Sequence, residues 1–160
     1  MDIKNENLIV YFSYKGNTRA IAHEIKKKID GDLIEIVPED SYPEDYDEVV
    51  KQAKEEIKSG YKPNIKTKFS NINQYKKIIL GYPNWWSSIP PPIVTFITEN
   101  DLSNMVIYPF CSHGGGGLGH SVEDIKKYSP NSDVRKAIDV YGKNLRNFEN
   151  KFNYWNADFD

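Results

Sequence analysis

The chain has a single cysteine, so Cys111 can neither close an intramolecular disulfide nor join the thiol pair of a CxxC redox motif. It reads as a small buried apolar side chain at a strand end rather than a reactive thiol. Long hydrophobic runs are also missing, which excludes a membrane-spanning helix. The few polar-biased residues ahead of the first apolar run leave no room for a signal peptide, so the expected location is cytoplasmic. Charge of one sign never gathers into a block: 21 Lys and Arg interleave with 23 Asp and Glu for a net charge of -2. Neither nucleic acid nor an anionic membrane is therefore an expected partner. No repeat, low-complexity tract or linker divides the sequence. Its 160 residues, 39% of them hydrophobic, suit one domain over 1–160 with a single well-formed core.

What the chain does have is alternation. Leu8 to Phe12 reads as a strand, and Ile21, Ile25 and Ile29 then recur at helical spacing. Leu33 to Val37 reads as a second strand, and Val49, Ala53 and Ile57 mark a second helix closed by Gly60. KKIILGY is a buried strand, PPIVTFITEN a helix with proline in its first turn, and MVIYPFC a fourth strand. A short helix near Val122 to Tyr128 leads to a fifth strand near Val134 to Val140, and Leu145, Phe148, Phe152 and Trp155 stripe the last helix. Such a βαβα series implies a parallel sheet with helices on both faces. Ligands of these sheets bind beyond the carboxyl ends of the strands.

Three of those ends are unusual. After the first strand, SYKGNT offers Gly16 for a positive φ, and Asn17 or Thr18 to cap the next helix with its first N–H groups pointing outward. With the hydroxyls of Ser13 and Thr18 this is a candidate phosphate site, although an ordinary capped turn has the same letters. After the third strand, PNWW sets two tryptophans where solvent is expected, and large rings there need a cover such as a flat aromatic ligand. One of the pair is expected to fold back onto the helix after Pro90, leaving the other to stack. After the fourth strand, SHGGGGLGHS matches both GxGxxG and the P-loop spacing, but a run of glycines matches almost any glycine pattern. His120 stands where the P-loop lysine would be, and too little chain follows to complete a dinucleotide fold. What remains is backbone that can approach a planar ring closely, with His113 and His120 as further hydrogen-bonding groups. No second ligand cluster makes a metal site of these histidines.

A phosphate cradle, an aromatic wall and a glycine loop at one sheet edge suit a phosphorylated flat ring. In these segments, and in SYPEDYDE with the KPNI that follows, the chain resembles the flavodoxins, especially the bacterial group with a GYPxWW segment. The resemblance implies a flavodoxin-like three-layer α/β/α sandwich, its five-stranded parallel sheet in the order 2-1-3-4-5, that binds FMN non-covalently. It places Ser13, Gly16, Asn17 and Thr18 at the phosphate, with Tyr14 and Lys15 in the same loop. Pro83, Asn84, Trp85 and Trp86 would line the isoalloxazine, and Ser112, His113, Gly114 and Gly115 would meet its pyrimidine edge. Lys15, His113 and Gly116 or Gly117 depart from the family's small hydroxyl residues. The implied role is an electron carrier docking on transient redox partners. An FMN-dependent reductase taking hydride from NAD(P)H is the alternative, and a flavin-free binding module a lesser one. The family's one-electron carriers resemble one another in a glycine-containing turn beside flavin N5. Asn84-Trp85-Trp86 has no glycine, and a positive φ there costs on the order of 1 kcal/mol more, which leans toward two-electron chemistry. A phosphoacceptor receiver domain is excluded because no acidic cluster ends the first or third strand.

Overall fold

The computed structural model describes residues 6–156 and Phe159, so the expected domain 1–160 extends past the described residues at both ends. Apolar residues fill both faces of the first strand, as an interior strand of a covered parallel sheet requires. This strand, β1 (Asn7–Tyr11), lies between β2 (Asp32–Glu35) and β3 (Lys77–Pro83), and the sheet continues through β4 (Val106–His113) to β5 (Asp133–Val134). All pairings are parallel, and Ile9 aligns with Ile79, which aligns with Tyr108. The expected order 2-1-3-4-5 is the observed one. β2 ends before Val37, whose N–H turns instead to the Thr67 hydroxyl at 3.0 Å.

The fifth strand is not continuous, contrary to the sequence reading. β6 (Ile138–Tyr141) resumes the pairing with β4, aligning Ile138 with Phe110, whereas β5 aligns Val134 with Ile107. Arg135, Lys136 and Ala137 thus oppose only Tyr108 and Pro109, a bulge of one residue. Proline explains its position. The Ile107 carbonyl accepts the Arg135 N–H at 2.8 Å, so the next β4 residue facing that edge is Pro109, which has no N–H to donate.

Alternation along β1 and β3 divides the core into two layers. Leu8, Val10, Ile78, Leu80 and Tyr82 face one way, against Ile93, Phe96 and Ile97 of α3 (Pro91–Glu99) and Ile125 of α4 (Ser121–Tyr128). Ile9, Tyr11, Ile79, Tyr108 and Phe110 face the other, against Ile21 and Ile25 of α1 (Asn17–Lys28) and Phe148, Phe152 and Trp155 of α5 (Leu145–Asn156). The remaining helix, α2 (Tyr46–Ser59), starts where the Asp45 carboxylate accepts the Glu48 N–H at 3.0 Å. It stops at Gly60, whose φ of 73° suits a left-handed cap. Cys111 is buried as expected. Burial, with the Asp139 charge adding to it, pushes its thiol up to about 12, so it stays protonated.

Candidate functional site

Beyond the carboxyl ends of β1, β3, β4 and β6 lies a cavity of about 550 Å³. All three loops singled out in the sequence line it, through every expected residue except Gly16 and Gly115.

In the first loop, Gly16 has φ 97° and is itself the residue before α1. This corrects the expectation that Asn17 or Thr18 caps the helix: no side chain of either does so. Ser13 serves instead. Its Oγ accepts the N–H groups of Gly16 at 3.1 Å and Arg19 at 3.2 Å. The N–H groups of Asn17 and Thr18, in the first turn, have no intrahelical acceptor by position. That turn carries no acidic residue of its own, so none of its side chains opposes the positive end of the helix dipole. The Thr18 hydroxyl is buried and lies 2.7 Å from that of Ser112, joining the first and third loops. Lys15 turns aside, its Nζ 3.2 Å from the Glu44 carbonyl and 4.7 Å from the Tyr14 ring centre. Replacing Ser13 by alanine removes the acceptor for two N–H groups. Chemical denaturation should show a loss of about 1 kcal/mol, the usual worth of such a cap.

In the second loop, Trp85 to Ser88 form a tight turn closed by two backbone bonds, Trp85 N–H to Ser88 O at 3.2 Å and Ser88 N–H to Trp85 O at 3.0 Å. Its two central residues, Trp86 and Ser87, have φ of 55° and 61°, a conformation usually left to glycine or asparagine. Neighbours hold it there. His120 N–H donates to the Ser87 carbonyl at 2.7 Å, and Gly119 lets that carbonyl approach: a Cβ at Gly119 would sit 2.5 Å from it. This contact accounts for one glycine of the run. The acidic first turn of α4, with Glu123 and Asp124, disfavours the phosphate that a P-loop reading would put there.

The two tryptophans part company. Trp85 folds inward against Phe12, Tyr14 and Tyr42, edge-to-face at centroid distances of 5.4, 5.8 and 4.9 Å, where the sequence suggested the helix after Pro90. Trp86 stays 47% exposed over α2, its indole N–H donating to the Val50 carbonyl at 2.9 Å and Lys54 Nζ 5.2 Å from its ring centre.

In the third loop, His113 is held at both ring nitrogens. Its Nδ1 accepts the Gly115 N–H at 2.9 Å, and its Nε2 lies 2.8 Å from Asp139 Oδ2 on β6. Burial works against the Asp139 charge, but hydrogen bonds from Lys151 and His113 outweigh it and hold the carboxyl below its ordinary range. His120 instead pairs with Asp124 at 2.6 Å, outside the cavity.

Sequence reasoning missed two walls. Tyr46, Val49, Val50 and Ala53 of α2 line one side, and Tyr141 with Gly142, just after β6, line another. The sequence marks only three strand ends as unusual, and the fifth is not among them. An aromatic residue followed by glycine at a strand end was the available signal, and Tyr141 is 60% exposed at the rim. Among the described residues no cluster of His, Cys, Asp or Glu could hold a metal ion, and no helix is long and apolar enough to cross a membrane.

The family model for flavodoxin matches residues 6–158. No curated protein matches the chain. Among solved structures, a candidate flavoprotein from Bacteroides eggerthii is 29% identical over 91% of this chain and 96% of its own, with a TM-score of 0.78. A flavoprotein from Lactobacillus acidophilus, crystallised in complex with FMN, is 22% identical over 95% of this chain and 99% of its own, also with a TM-score of 0.78. Flavodoxin 2 from Bacillus cereus shares the fold at 18% identity, over 95% of this chain and 96% of its own, with a TM-score of 0.55.

Proposed function

Since the chain belongs to the flavodoxin family, we propose that its cavity binds FMN and that the protein carries electrons between transient redox partners in the cytoplasm. The observation that carries this reading is the convergence on one cavity of an α1 N-terminus free of acidic residues and an exposed tryptophan, with Gly114 of the third loop at its rim. The donor set fits the group. Ser13, Asn17 and Thr18 would hold the phosphate through hydroxyl and backbone N–H groups, Trp86 would cover a ring face, and Ser112 to Gly115 would meet the polar edge. The bound flavin would supply one- and two-electron transfer, and the protein would set which is accessible. A yellow protein that releases FMN on acid treatment is the expected result. A colourless chain that takes up no added FMN would remove this reading in favour of a binding module.

One feature favours the second reading, an FMN-dependent NAD(P)H reductase. Trp86 and Ser87 already occupy positive φ, and the Trp85 and Ser87 carbonyls are engaged by Ser88 and His120. Reversing the peptide between Trp86 and Ser87 would drive Trp86 into a region open essentially to glycine alone. Reductive titration is therefore expected to pass from oxidised to fully reduced flavin with little half-reduced species. Near-complete accumulation of that species would count against the reductase, as would failure of NADPH to bleach the flavin.

A further inference from the structure

We infer that His113 orders the glycine loop only while its imidazole is neutral, so that ligand retention in the cavity is set by a proton at Nδ1. The inference rests on the flavin reading for the identity of the ligand, and on the geometry of the loop for the rest. The Gly115 N–H points at Nδ1, so that nitrogen carries a lone pair, and the proton of the neutral ring is on Nε2, donated to Asp139. Both ring positions are thereby assigned by their partners. A second proton has only Nδ1 to occupy, where it would face the Gly115 N–H across 2.9 Å, donor against donor. One side must give way.

The loop is the side that gives way. The imidazole is tied by β4 and by Asp139, which Lys151 of α5 holds in turn through its Nζ, 3.1 Å from Oδ1 and 2.6 Å from the backbone carbonyl. Gly114 and Gly115 are exposed, and Gly115 sits at φ 135° with open space around it. Gly114 lines the cavity, so turning the Gly115 amide reshapes the rim the ligand must meet. Among the described residues, Tyr141 on β6 is the further titratable group in ring contact with His113, edge-on at 5.9 Å. Proton uptake and loop release are coupled because both act at Nδ1.

The test compares the natural chain with His113→Asn. An asparagine Oδ1 can accept the N–H two residues on, as in an Asx-turn, but does not titrate. FMN dissociation constants are measured by fluorescence quenching at about pH 8 and about pH 5, a range across which imidazoles gain a proton. The phosphate of FMN also titrates near pH 6, so the quantity read is the ratio of the two constants within each chain. That ratio is expected to be about three- to tenfold larger for the natural chain, the worth of one hydrogen bond. Equal ratios would overturn the inference. In the flavin-free protein, the Gly115 amide resonance should move between the same two pH values in the natural chain and stay put in His113→Asn, and a Gly115 amide indifferent to pH overturns it equally. If neither chain takes up FMN at either pH, the flavin reading fails, and the Gly115 amide alone decides whether His113 governs the loop.

Discussion

Gly81→Ala is expected to cost the fold about 3 kcal/mol or more, read as a lowered urea midpoint. Gly81 on β3 aligns with Phe110 on β4, and the phenyl ring lies across the place where a side chain would project. A Cβ there would meet Cζ, Cε2 and Cε1 of Phe110 at 2.1, 2.3 and 2.7 Å. Those atoms are the far end of the ring, but the ring cannot yield cheaply. Phe110 is fully buried, and Trp155 stands against it with a centroid distance of 6.1 Å. The methyl group must therefore displace Phe110 into α5 or push β3 from β4. Either breaks close packing that a native interior holds near crystal density. Phe110→Leu in the same chain should recover part of the loss, giving a double-mutant cycle with a coupling of about 1 kcal/mol or more. Gly81→Ala within about 0.5 kcal/mol of the natural chain would contradict the contact, because that is the range of a harmless surface change.

Gly81 was visible in the sequence only as a letter in KKIILGY, and this marks where sequence reading reached its limit. Period and order were legible because they are local. Ile21 and Ile25 repeat at helical spacing, Leu8 to Phe12 is apolar throughout, and strand and helix alternate from β1 through α4. The three loops were legible because their chemistry is odd for their positions. What stayed hidden depends on residues far apart in the chain. His113 meets Asp139, 26 residues on, and Tyr141 reaches the rim only once β6 has paired with β4. The break between β5 and β6 lies between these cases. Proline in the middle of MVIYPFC was a sign of an unmade ladder bond, but which neighbour would lack it depended on which edge Pro109 faced. The αL pair at Trp86 and Ser87 had no local signal, since neither residue favours that conformation. It is imposed by Gly119 and His120 from the next loop.

Because the two tryptophans differ in environment, their removal should separate stability from affinity. Trp85→Ala takes away a ring packed edge-on against Phe12, Tyr14 and Tyr42 beneath the cavity, and should lower stability by about 3 kcal/mol. Trp86→Gly works the other way. Its side chain lies half exposed on α2, bound by one indole hydrogen bond to Val50, while its backbone bears a φ of 55°. Glycine relieves a strain on the order of 1 kcal/mol, which offsets the lost surface contacts, so the thermal midpoint should barely move. FMN affinity should fall by about tenfold, the worth of one stacked aromatic face. Thermal melts of the flavin-free chains and FMN titrations of both variants read the two effects separately. Equal affinity losses would mean that both rings meet the ligand. An affinity loss confined to Trp85→Ala, in a chain that still melts like the natural one, would move the stacking face from Trp86 to Trp85 and make the exposed indole an ornament of α2.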